Sequence, residues 1–125
     1  MKKTLIEIYA LAVCFVTIIC FAISLGVGLY DLLEMSNPSF TLKAHQYEKH
    51  QTNDAFTKSW KKKRINKYSE EQITTKREES YRVELTKERR NAMQSFTRML
   101  IIILIDLIIF FIHWKLAAKE KEAPV

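Results

Sequence analysis

The stretch IYALAVCFVTIICFAISLGVGL, Ile8 to Leu29, holds 22 residues and no charged side chain. At about 1.5 Å per residue it makes a helix of roughly 33 Å, enough to cross a hydrocarbon core of about 30 Å. Lys2 and Lys3 precede it, and a basic start before an apolar run is also the form of a secretory leader. A leader's apolar region, however, is only about 7 to 15 residues long. No small-residue cleavage pattern follows the block, and Val13 and Ile19, not small residues, stand before Cys14 and Cys20. The expectation is a retained transmembrane helix over 8–30, behind a short basic tail at 1–7.

A second apolar block runs from Met99 to Ile112, where thirteen of fourteen residues are Met, Leu, Ile or Phe and the fourteenth is Asp106. Thirteen such side chains favour insertion by roughly 5 kcal/mol, against a cost of about 3 kcal/mol for one central Asp. His113, Trp114 and Lys115 follow, with Trp suited to headgroup depth and Lys able to snorkel outward. The second span is therefore expected over 99–118, with a charged tail at 119–125.

The rest of the composition agrees with a small membrane chain. There are 125 residues, 20 Lys and Arg against 14 Asp and Glu, and only two each of Cys, Gly and Pro. Such a balance excludes a disulfide scaffold, a collagen-like chain and a multidomain enzyme. Between the apolar blocks lie 68 residues, Asp31 to Arg98, with 15 basic and 10 acidic side chains and only 19 apolar ones, Ala included. That is thin material for an independent core, so 31–68 reads as a polar, partly irregular loop. Ser36-Asn37-Pro38-Ser39 is a turn signal that ends the first helix. Ser69 with Gln72 fits a capping box, and no Pro or Gly occurs from there to Ala123. One long helix is expected from Ser69, a charged stalk over 69–98 that runs into the second span. Its apolar positions Tyr81, Leu85, Ala92, Phe96 and Met99 form a narrow stripe of coiled-coil type. The expected fold is an all-α membrane protein: two transmembrane helices in a helical hairpin, the second continuing a long charged helix, and no globular core.

Positive charge near membrane spans favours the cytoplasmic side, a rule that weakens for loops beyond about 60 residues. Lys2 and Lys3 against Asp31 and Glu34 favour an inside amino terminus, while Lys87, Arg89, Arg90 and Arg98 before the second span pull the other way against Lys115, Lys119 and Lys121 after it. The balance leans towards both termini in the cytoplasm.

Asp106 is the first candidate for chemistry, because an ionisable group at mid-bilayer is a functional-site hypothesis by default. His113, seven residues on, falls on the same helical face, so the two can serve packing, partner recognition or proton and ion handling. On the first helix Ala10, Cys14, Thr17, Cys20, Ser24 and Gly28 make a face of small residues, which lets helices approach closely in lipid and lets Thr or Ser hydrogen-bond across the contact. With antiparallel spans, Thr17 lies near the depth of Asp106, and a contact between them, within one chain or between two, is the specific expectation.

Cys14 and Cys20 are six residues apart within lipid-compatible sequence and read as small buried hydrophobes. His45, Glu48, His50 and Asp54 cluster without the order of a two-histidine metal motif, and read as a solvated loop. No metal or cofactor is expected. With no phosphate-cradling loop and no nucleophile beside a base, the chain does not read as an enzyme. The basic run Lys61-Lys62-Lys63-Arg64 beside Trp60 is the clearest surface signal. A solvated helix face is its plain reading, and lipid headgroups, an acidic protein or nucleic acid are its alternatives.

Four segments, Ile6-Glu7-Ile8-Tyr9-Ala10-Leu11-Ala12, Gly28-Leu29-Tyr30-Asp31-Leu32, His50-Gln51-Thr52-Asn53-Asp54-Ala55-Phe56 and Ile112-His113-Trp114-Lys115-Leu116, resemble an uncharacterised group of small bacterial inner-membrane proteins. The resemblance covers most of the chain outside its charged middle. It implies an inner-membrane location and a two-span layout, and no activity. The function expected is that of a non-enzymatic accessory protein that binds a larger membrane complex, with membrane lipid and another membrane protein, or a second copy, as partners. The alternatives are a self-assembling pore-type hairpin and a tethered binder of anionic headgroups.

Overall fold

The computed structural model describes residues 4–122, and every regular element among them is helical: α1 (Leu5–Ser36), α2 (Pro38–Thr41), α3 (Ala44–Lys49), α4 (Asn53–Thr57), α5 (Lys62–Asn66) and α6 (Glu70–Glu122). Lys2 and Lys3 of the basic tail and Ala123 to Val125 of the charged tail lie outside the described residues.

Both long helices are set by their caps and by what is missing from their interiors. Thr4 stands at the start of α1, its hydroxyl accepting from the Glu7 N–H at 3.0 Å, and after 32 helical residues Asn37 and Pro38 stop the helix, because Pro lacks an N–H and disfavours helix before it. At α6 the Ser69 N–H donates to Gln72 Oε1 at 2.9 Å and the Gln72 N–H to Ser69 Oγ at 3.2 Å, a reciprocal capping box. With no Pro or Gly after it, α6 continues for 53 residues. Each of α1 and α6 contains a stretch long and apolar enough to cross a membrane.

The chain divides into two compact units, one formed by α1 as far as Asp31 with α6 from Gln94, the other by Leu32–Met93. In the first, residue numbers fall along α6 as they rise along α1. Thr4 Oγ1 donates to Glu120 Oε2 at 3.4 Å, Tyr9 packs edge-on to His113 with ring centroids 5.6 Å apart, the Cys14 thiol faces the Phe110 carbonyl at 3.8 Å, and Gly28 meets Phe96 and Met99. The two segments are therefore antiparallel.

Their contact follows a spacing of alternating threes and fours. On α1 the buried positions are Glu7, Ala10, Cys14, Thr17, Ser24, Gly28 and Asp31, with half-buried Phe21 completing the series. On α6 Phe96, Met99, Ile103, Asp106, Phe110, His113 and Ala117 repeat it. This is the 3.5-residue period of a coiled-coil seam. Small side chains on α1 face larger ones on α6, and a Cβ on Gly28 would lie 3.8 Å from Met99 Cβ. Cys20 does not belong to this face: it is exposed, roughly 70° around the helix from the middle of the seam at 100° per residue. Two consecutive steps of three carry the count off the stripe, and Phe21 takes the place expected for Cys20.

The second unit departs from the expected polar, partly irregular loop over 31–68 without a core. Residues 38–66 form the four short helices α2 to α5, and Leu42, Phe56, Ile73 and Ala92 are buried. The centre is aromatic and tied by polar groups. The His50 ring lies 5.7 Å from that of Phe56 and 5.6 Å from that of Tyr81. Its Nδ1 sits 2.6 Å from the Gln46 carbonyl and its Nε2 2.9 Å from Ser80 Oγ. A carbonyl only accepts, so Nδ1 carries the hydrogen, and in the neutral ring Nε2 accepts from Ser80. Phe56 continues to Trp60 at 5.4 Å and Trp60 to Tyr68 at 6.0 Å. Asn53 Nδ2 donates to Glu70 Oε2 and to Thr74 Oγ1, both at 2.9 Å, which fastens α4 to the first turns of α6. Arg89 Nε donates to the Met35 carbonyl at 3.2 Å, covering one of the open carbonyls at the end of α1. A count of apolar residues underestimates this unit because each aromatic ring buries a large area and because His50 and Thr57 are buried with their hydrogen bonds made.

Phe56→Ala is expected to cost this unit about 3 kcal/mol, the lower end for a buried Phe. Amide hydrogen exchange checks it: protection over 44–66 should fall while protection over 10–28 stays unchanged.

Candidate functional site

Asp106 occupies a seam position of α6, between Ile103 and Phe110, and is only 9% exposed. Its Oδ2 is buried with no hydrogen-bond partner among the described residues. Across from it on α1 is Thr17, and the two line one open-sided cavity of about 210 Å³ whose other walls are Ile18, Phe21, Leu107 and Phe110. The expected pair is thus brought together, but Thr17 spends its one hydroxyl hydrogen locally, donating to the Cys14 carbonyl at 2.8 Å. Thr in a helix often bonds back to the preceding turn in this way. The accessible lining of the cavity is apolar, so the unpaired carboxyl oxygen is withdrawn into the seam and not presented to the opening.

The other expected residues distribute around this cavity. Ala10, Cys14, Ser24 and Gly28 are buried along the seam. His113 is half-buried, its Nδ1 2.8 Å from the Ile109 carbonyl and its ring against Tyr9. Two turns, roughly 10 Å of helix, separate it from Asp106, so the two do not form one site. Glu7 and Asp31 are buried seam carboxyl groups that the small-residue count overlooked; Asp31 is 3% exposed and its Oδ2 likewise lacks a partner. The alternating spacing of three and four that runs from Ala10 to Gly28, carried one step further at each end, reaches both.

In the second unit the basic run is exposed from Lys61 through Arg64, and Arg64 lies over the Trp60 ring with its guanidinium carbon 4.0 Å from the centroid. Trp60, just before α5, is half-buried and packs between the rings of Phe56 and Tyr68. Six basic and no acidic side chains lie between Ala55 and Ser69. His45, Glu48, His50 and Asp54 do not converge: among the described residues no group of three or more His, Cys, Asp or Glu could hold a metal ion.

Comparison with protein-family models, with characterised proteins and with solved structures finds no match to this chain.

Because Asp106 Oδ2 has no partner among the described residues, Asp106→Leu is expected to leave the thermal midpoint of the detergent-solubilised protein unchanged or higher. A double-mutant cycle with Thr17→Val should give a coupling no larger than about 0.6 kcal/mol, the mean for intramembrane pairs. A coupling near the upper bound of about 1.7 kcal/mol would mean that Thr17 and Asp106 bond directly.

Proposed function

We propose that this chain is a small integral membrane protein whose two spans form a helical hairpin, and that it acts without catalysis as an accessory protein of a larger membrane complex. The observation that carries the proposal is the Oδ2 of Asp106, buried in the seam of the two apolar helices and without a hydrogen-bond partner among the described residues. The outward faces of that pair are large and apolar, with Phe15 at 65%, Ile23 at 63% and Leu104 at 61% exposure. Lipid accommodates such faces and does not accommodate an unsatisfied carboxyl oxygen. A polar group of that kind inside a membrane helix favours association with another helix that can answer it. In this reading both termini face the cytoplasm and the membrane is a bacterial inner membrane, as the charge balance and the sequence resemblance suggest. The exposed cluster from Lys61 to Arg64 supports a second, additional contact with anionic lipid headgroups, each residue near the surface adding about 1 kcal/mol.

A mild-detergent pull-down of tagged protein, wild type beside Asp106→Leu, tests the reading. A defined membrane protein should accompany the wild type and fall several-fold with the variant. Recovery of this chain alone, as a discrete oligomer, would replace the accessory role with a self-assembling one.

A further inference from the structure

Past Leu29, the last residue of its uncharged run, α1 continues unbroken to Ser36, seven residues or roughly 10 Å of helix. The headgroup layer adds about 5–7 Å to each side of the hydrocarbon, so the turn at Asn37-Pro38 stands at the outer edge of that layer. The turn has a fixed shape. The Phe40 N–H donates to the Asn37 carbonyl and the Leu42 N–H to the Pro38 carbonyl, both at 3.1 Å, while Pro38 and Leu42 are buried beneath it. Phe40 is left outside at 70% exposure, and among the described large apolar side chains only Leu5 exposes more. Tyr47, itself exposed, shares with it an open groove of about 430 Å³ whose other walls are Asn37, Ser39, Leu42 and Ala44.

The remaining exposed apolar surface of the Leu32–Met93 unit lies at the same end. Its exposed large apolar side chains are Leu32, Leu33, Phe40, Tyr47, Val83 and Met93, and none falls among residues 48–82. The bond from Arg89 to the Met35 carbonyl sets the two contributing stretches side by side. Leu32 and Leu33 also continue the apolar surface of α1 without a gap, so the medium that surrounds the end of the span is the next to meet this patch. The groove is mixed in character, with Asn37 and Ser39 beside Phe40 and Leu42, which suits a headgroup layer better than hydrocarbon. Aromatic rings, Tyr above all, are favoured at that depth. Lys43 and Lys49 are exposed on the same segment against one acid, Glu48, and long basic side chains reach phosphates from such positions. We infer that residues 37–47 form an interfacial collar that binds phospholipid headgroups, with the rings of Phe40 and Tyr47 at headgroup depth in the leaflet where α1 ends. This rests on the reading of α1 as a membrane span, and it is a contact separate from that of Lys61 to Arg64.

The test uses the full chain, reconstituted without other proteins in neutral phosphatidylcholine vesicles. In a Cys14→Ala, Cys20→Ala background, an environment-sensitive fluorophore is attached at Phe40→Cys, Tyr47→Cys, Thr75→Cys or Ile23→Cys, all four positions being exposed. Labels at 40 and 47 should emit to the blue of the label at 75 and be quenched several-fold more by a nitroxide carried on the lipid headgroup, while aqueous iodide should reverse that order. The label at 23 should be quenched by a nitroxide placed deep on the acyl chain. If it is, and either collar label is as open to iodide as the label at 75, the collar is overturned and the span stands. Equal headgroup quenching at 40 and 75 would also overturn it, since the apolar end of the unit would then have no preference for lipid. Shielding of the label at 40 from both quenchers would make the occupant a second copy and overturn the lipid contact. Failure of the acyl-chain nitroxide to quench the label at 23 would remove the span and the collar together.

Discussion

Close approach of α1 and α6 is the constraint on which the apolar unit depends. In lipid there is no hydrophobic gain in bringing two apolar helices together, so association rests on van der Waals contact and on the polar groups that the interface can satisfy. Small residues on one partner meet that need. Ala10, Cys14, Thr17, Ser24 and Gly28 are buried along one face of α1, with Phe96 and Met99 of α6 against Gly28 and the Phe110 carbonyl against Cys14. The 3.5-residue period keeps the two faces together over the whole length of the contact, as in a coiled coil. Asp106 sits on that seam, and its buried, unanswered oxygen is a local conflict within an otherwise consistent interface. Conflicts of that kind collect at functional sites.

The unit formed by Leu32–Met93 solves a different problem with little apolar material. Its rings are placed in sequence, His50 between Phe56 and Tyr81, then Trp60 and Tyr68, with Phe56 in α4 and His50, Trp60 and Tyr68 in the turns beside α3 and α5. Side chains supply what the short helices cannot. Thr52 caps α4 by accepting from the Ala55 N–H at 3.1 Å, Asn53 ties it to α6, and Arg77 donates to the Gln51 carbonyl at 2.6 Å. Isolated helices of five or six residues are unstable in water, so these tertiary bonds are what hold them.

The features that the sequence carried most openly were those fixed by local chemistry. The uncharged run from Ile8 to Leu29, the Asn37-Pro38 stop and the Ser69 and Gln72 box each act within a few residues, and the ends of α1 and the start of α6 follow from them. Asp106 stood out because a charge interrupts an otherwise apolar run. What lay beyond reach depended on partners distant in sequence. Cys20 looked equivalent to its neighbours as a small residue, and only the facing helix selects Phe21 in its place. Glu7 and Asp31 looked like the polar ends of a span, although the seam extends to bury them. The small core of the second unit was hidden because it is built from few, large and partly polar side chains, which residue counting weighs too lightly.

The antiparallel seam is the central claim, and pairwise disulfide formation in native membranes tests it most directly. In a Cys14→Ala, Cys20→Ala background, Gly28→Cys with Met99→Cys places two thiols on Cβ positions 3.8 Å apart, within the roughly 3.5–4.5 Å that a disulfide requires. A mild oxidant followed by trypsin, which cuts the charged middle of the chain, should leave the two apolar fragments of one molecule joined. Gly26→Cys with Met99→Cys should not, since Gly26 faces away from any neighbour within 4 Å. Equal cross-linking of both pairs, or joining only between two molecules, would contradict the seam.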